Sequence, residues 1–125
     1  MKIKLQDATP LQLDALVAQS EGYSLTTDGI SRLVEKGMAL VILGPCTTGS
    51  GHQCGYSPTT RWEQGGPLIA QALMVLSPDP QVGWTARSYM DAVAHSGPTP
   101  LIAAMRCYAG SVFGEEVDVP EGLTP

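Results

Sequence analysis

Leu73-Met74-Val75-Leu76-Ser77-Pro78-Asp79-Pro80-Gln81-Val82-Gly83-Trp84-Thr85-Ala86-Arg87-Ser88 is the stretch whose reading decides the fold class. Leu73 to Leu76 form an apolar run, and Ser77-Pro78-Asp79-Pro80 is a turn cluster. Beyond it, Val82, Trp84 and Ala86 alternate with Gly83, Thr85 and Arg87, the period of a half-buried strand. Two strands joined by a turn are therefore predicted. A helix follows, opened by Thr99 as N-cap and Pro100 at the first helical position. Ile102, Met105, Ala109, Val112 and Phe113 recur at helical spacing, and Gly114 ends the run. The chain begins on the same pattern. Thr9-Pro10-Leu11-Gln12 reads as a capping box, Leu13, Leu16 and Val17 share one face, and Gly22 is a C-terminal stop. Strands paired locally, with helices on either side in sequence, define an α+β class.

The remaining segments are read from the same signals. Residues 38–43 (MALVIL) are an apolar run expected as a buried strand, and residues 29–37 as a short helix. Thr60 can cap a helix starting at Arg61, which Gly65-Gly66-Pro67 should kink or restart. With 125 residues the chain is expected to be one domain, residues 1–114 globular and residues 115–125 an acidic extended tail (Glu115, Glu116, Asp118, Glu121). Aromatic content is only 6%, so the core should be aliphatic, with Trp62, Trp84 and Phe113 as its large pieces.

Charge narrows the functional classes. The net charge is −5, and Lys2, Lys4, Arg32, Lys36, Arg61, Arg87 and Arg106 are scattered. A nucleic-acid polymer needs clustered cations, so that partner is not expected. The N-terminus lacks the apolar run of a signal peptide and no stretch suits a membrane span, while three irregularly spaced cysteines fit reduced thiols; a cytoplasmic location is expected.

Three candidate sites carry chemistry. The loop at residues 44–51 has glycines at phosphate-loop spacing, but Ser50 and Gly51 stand where a nucleotide-hydrolysing loop needs Lys and Ser/Thr. Cys46, His52 and Cys54 are soft ligands without the paired spacing and fourth ligand of a structural zinc site, and no third group orients a Cys/His pair for catalysis. No catalytic residue, metal or cofactor is therefore assigned. The third candidate, residues 56–67 (YSPTTRWEQGGP), gathers aromatics, hydroxyls, an amide, a guanidinium and a glycine pair around an expected helix start. Helix N-termini favour anions, and exposed rings can stack on a flat ligand. The expected ligand site is Tyr56, Ser57, Thr59, Thr60, Arg61, Trp62, Gln64, Gly65 and Gly66, with Arg106 next. The structural alternative is a turn with Trp62 in the core and Thr60 as cap. Arg106, near an apolar helix face, could bind an anion or pair with Asp14 or Glu63.

Residues 56–67 and 97–108 (GPTPLIAAMRCY), with Leu13-Asp14-Ala15-Leu16-Val17-Ala18, Glu21-Gly22 and residues 115–120 (EEVDVP), resemble the NinX-like family of small phage and prophage proteins, a family of uncharacterised function. The resemblance covers the first 22 residues and roughly Gly55 to Pro120. The family pattern reads Y-S-P-S-T-D-W; here Thr59 replaces Ser and Arg61 replaces Asp, and the family's later acidic residue is Ala70, which tilts the segment towards an anion. The element order is more distantly similar to phage proteins with αβα sandwiches. That similarity implies a small antiparallel sheet with about three helices packed in an αβα-like sandwich.

The resemblance implies a phage-encoded accessory protein. The expectation joined to it is a non-catalytic binder of a small anionic or nucleotide-like ligand that sequesters a host signal against antiviral defence. Arg61 would take the charge, Tyr56 or Trp62 would stack, and the glycines would admit phosphate or ribose. The alternative is a protein–protein inhibitor or adaptor, with a homo-oligomer as one form of it, marked by an exposed apolar patch at residues 24–43 and no concave site at residues 56–66. A small hydrolase using Cys46/His52 or Glu63 ranks third.

Overall fold

The computed structural model describes residues 2–25, 33–36, 39–43, 55–89 and 93–119. In chain order the elements are β1 (Lys2–Lys4), a 3-10 turn (Leu5–Asp7), α1 (Pro10–Ser20), β2 (Ser24–Leu25), β3 (Leu33–Lys36), β4 (Ala39–Leu43), β5 (Gly55–Tyr56), α2 (Trp62–Gln71), β6 (Met74–Asp79), β7 (Gly83–Ser88), β8 (His95–Gly97), α3 (Pro100–Phe113) and β9 (Glu116–Asp118). The class is α+β, with three helices among the described residues.

Local chemistry places the ends of α1 and α3 where the sequence predicts them. Thr9 accepts from the backbone N–H of Gln12 at 3.3 Å, and the Gln12 side chain accepts from the Thr9 N–H at 2.9 Å. Gly22 takes φ 94°, and Tyr23 N–H bonds the Ala18 carbonyl at 2.9 Å while Gly22 N–H bonds that of Gln19 at 3.1 Å. That is a Schellman ending, which a left-handed residue makes possible. Thr99 caps α3 through Ile102 N–H at 3.1 Å, and Gly114 closes it at φ 85°.

The described strands form three sheets: β6-β7-β8, antiparallel; β2-β3-β4-β5, antiparallel except for the parallel β4–β5 pair; and β1-β9, antiparallel. α3 packs on β7 and β8 with one face and on α1 and α2 with others. Gly97 permits this closeness: a Cβ there would stand 2.7 Å from the Ala103 backbone nitrogen. α1 is buried on all sides from Gln12 to Ala18, so its apolar face is only part of what it hides.

Four expectations are corrected. Leu33–Lys36 is a strand, because the ladders to β2 and β4 outweigh helix formation in a short stretch bounded by glycine. Of the kink or restart expected at Gly65-Gly66-Pro67, the restart is corrected: α2 runs through as one helix, and the carbonyl that Pro67 cannot bond is that of exposed Glu63, where water can serve it. Residues 115–119 are tied to the globular part: Val117 pairs with Ile3, Val117 and Val119 are buried, and the Glu115 carbonyl accepts from Leu5 N–H at 2.8 Å. The large aromatics are also distributed differently. Trp62 and Phe113 are exposed, Trp84 is half-buried, and the buried ring is Tyr56, tilted against Tyr23 at 4.9 Å between centroids. The loop at residues 44–51, the Cys46/His52/Cys54 cluster, residues 29–32 and 37 of the expected helix, residue 38 of the expected strand, residues 26–32 and 37–38 of the expected apolar patch, and residues 120–125 lie outside the described residues.

Candidate functional site

The segment at residues 56–66 is built around a carboxylate on a different element. Asp14, fully buried in mid-α1, accepts from Thr59 Oγ1 at 2.8 Å, from Thr59 N–H at 3.0 Å and from Ser57 Oγ at 3.1 Å. Ser57 gives its only hydroxyl proton to Asp14, so at the 2.6 Å contact between Ser57 Oγ and Thr60 Oγ1 it is Thr60 that donates. The Thr60 N–H and Arg61 N–H both bond the Ser57 carbonyl, a turn that puts Arg61, not Thr60, directly before the first helical residue. Arg61 is the N-cap of α2 and its side chain makes no capping bond, which corrects the expectation for Thr60.

Burial pushes the Asp14 carboxyl up to about 6, and the Thr59 and Ser57 bonds only partly offset that. Burial also raises the Tyr56 hydroxyl. Tyr108 donates its hydroxyl to the Glu21 carboxylate, and burial with that contact pushes it up to about 12.

The other expected ligand groups are engaged internally. Gln64 donates to the Gly55 carbonyl at 2.9 Å and accepts from Ser57 N–H at 2.6 Å. Arg61 donates to the same Gly55 carbonyl at 2.9 Å and holds Glu63 Oε1 at 2.6 Å. Glu63 is held below the usual carboxylate range by its own backbone N–H and by Arg61. A carboxylate of the chain therefore already stands where an anion would meet the helix start and Arg61. Gly65 is filled by packing, since a Cβ would lie 2.5 Å from the Pro58 carbonyl oxygen and 2.7 Å from Leu101 Cδ2. Gly66 is open, its nearest neighbour being Trp62 Cε3 at 4.0 Å.

Of the ten expected residues, Ser57, Thr59, Gln64 and Gly65 serve the turn, and Tyr56 is in the core. Thr60, Trp62 (54% exposed) and Gly66 remain at the surface, with Arg61 engaged beside them. Arg106 stands outside this group. It donates to the carbonyls of Ser96 at 2.8 Å and Ala8 at 3.4 Å, its Nε is buried without a hydrogen-bond partner, and neither Asp14 nor Glu63 pairs with it. Among the described residues, no three His, Cys, Asp or Glu groups could hold a metal, and no helix is long and apolar enough to cross a membrane.

A second surface was not anticipated. Leu73 directly follows the C-cap of α2 with φ 53°, a left-handed position that glycine or asparagine usually fills, and its side chain is 62% exposed. Tyr89 N–H bonds the Leu73 carbonyl at 3.0 Å, which sets Tyr89, 70% exposed, across from it. Two residues along, exposed Val75 pairs with exposed Arg87. The hairpin pattern pointed to strands, but not to which face would be left open. The signal available in the sequence was an apolar Leu73 where a helix end calls for glycine.

The family described as Bacteriophage P22, NinX matches residues 4–111 of the chain. No curated protein matches it.

Proposed function

The chain belongs to the Bacteriophage P22 NinX family, and from that premise we propose that it is a non-catalytic phage accessory protein that binds another protein through the outer face of the β6–β7 hairpin. Leu73 carries this reading. It holds an unfavourable backbone conformation and stays 62% exposed, so propensity does not account for a leucine there and packing rewards it little. Val75 and Tyr89 extend the apolar surface from it. The groups at residues 56–66, by contrast, spend their hydrogen bonds on one another and on Asp14.

The test is affinity purification of the tagged protein from phage-infected cells, comparing the wild type with Leu73→Gly. A stoichiometric partner lost from a variant that melts no lower than wild type supports the reading. A partner retained by the variant, or none recovered with either, sinks it.

A second reading keeps the small-molecule binder, and Trp62 favours it: an exposed ring stands over an open glycine, beside Thr60 and Arg61. A nucleotide-like anion would have to displace Glu63 from Arg61. Quenching of tryptophan fluorescence by cyclic dinucleotides, strengthened in Glu63→Gln and absent in Trp62→Ala, supports it; no quenching in any variant removes it.

A further inference from the structure

Which part of a partner the hairpin takes follows from the phase of its hydrogen bonds. The Tyr89 N–H to Leu73 carbonyl bond makes that pair a hydrogen-bonded one, and in an antiparallel ladder such pairs recur at every second residue. Val75 with Arg87 and Ser77 with Thr85 share the phase, so their backbone groups turn towards β7. Met74 and Leu76 therefore turn their N–H and C=O groups to the opposite edge. β6 is the terminal strand of its sheet, and among the described residues no strand pairs with that edge. The free stretch is short, because Pro78 has no N–H to offer. The side chains alternate accordingly: Met74 and Leu76 pack towards the core, while Val75 and Ser77 are exposed.

Charge selects what would lie there. Arg87 is exposed in the middle of this face, across from Val75, and among the described residues no carboxylate pairs with it. An unpaired cation within an apolar surface, on a chain of net charge −5, is complementary to an acidic group flanked by apolar ones. Resting on the protein-binding reading above, we infer that the partner supplies an extended segment. It adds to the edge of β6 at Met74 and Leu76, lays apolar side chains against Leu73, Val75 and Tyr89, and sets a carboxylate on Arg87. Strand addition draws affinity from main-chain bonds and selectivity from alternate side chains.

A library of random twelve-residue peptides, selected on the immobilised full chain, tests this. The expected peptides alternate apolar residues and carry an acidic one, and their affinity falls at least tenfold on Leu73→Gly and on Arg87→Glu. Selection on Arg87→Glu should exchange the acidic residue for a basic one. N-methylation of alternate peptide amides should abolish binding in one set and spare it in the other, which side-chain contact alone does not produce. Peptides indifferent to both substitutions, insensitivity to N-methylation, or no enrichment overturns the inference. So does a wild-type dimer that Leu73→Gly dissociates, which would make the occupant a second copy. If a partner from infected cells depends on Leu73 while the peptide results fail, only the strand-addition inference falls; if both fail, the protein-binding reading falls with it.

Discussion

Asp14 accepts both the hydroxyl and the backbone N–H of Thr59, at 2.8 and 3.0 Å, across a sequence separation of 45 residues. The pair joins the middle of α1 to the turn that launches α2. It therefore governs how the most information-rich stretch of the sequence is held.

The first prediction concerns pH. Asp14 sits at about 6 in the fold against an ordinary 3.8, so the folded chain binds the proton more tightly than the unfolded one. The stability this group contributes is complete below 3.8 and is lost as pH rises through 6. The unfolding free energy from urea titrations should fall over that window, by roughly 3 kcal/mol from this residue. In Asp14→Asn that component of the slope should vanish. An unchanged slope in the variant would mean that Asp14 is not the titrating group.

Asp14→Ala should be far more damaging than Asp14→Asn. It strands the buried Thr59 N–H and two hydroxyls, at about 1–3 kcal/mol for each group left unsatisfied. Denaturant titration at neutral pH compares the two directly.

The neighbouring glycines should respond in opposite directions. Gly65→Ala drives a Cβ into the Pro58 carbonyl and Leu101, and should destabilise by about 2 kcal/mol or more. Gly66→Ala has room and improves helix propensity, so it should stabilise by about 0.5–1 kcal/mol. Equal effects in thermal melts would contradict this packing.

Leu73→Gly should raise stability by about 1 kcal/mol, because glycine accepts the left-handed conformation without a Cβ clash. The melting temperature should rise by about 4 °C. A lower melting temperature would show that Leu73 supports the fold, and would take away the main ground for assigning it a partner.

Trp62→Ala should shift stability by no more than about 0.5 kcal/mol, as befits a largely exposed side chain. Unfolding of this variant would instead place the indole in a structural role.

Local interactions were legible in the sequence alone. The caps at Thr9 and Thr99, the ends at Gly22 and Gly114 and the period-two hairpin depend on atoms within a few residues of one another, so residue type and spacing determine them. The α+β class follows from those pieces. What the tertiary structure decided is where distant elements meet. It made Leu33–Lys36 a strand by offering ladders on both sides, and it drew Val117 and Val119 into the core through β1. It also assigned Ser57 and Thr59 to Asp14, filled the space at Gly65, left Trp62 outside and exposed Leu73. Burial and hydrogen-bond partners are set by contacts between remote segments, which neither composition nor periodicity encodes.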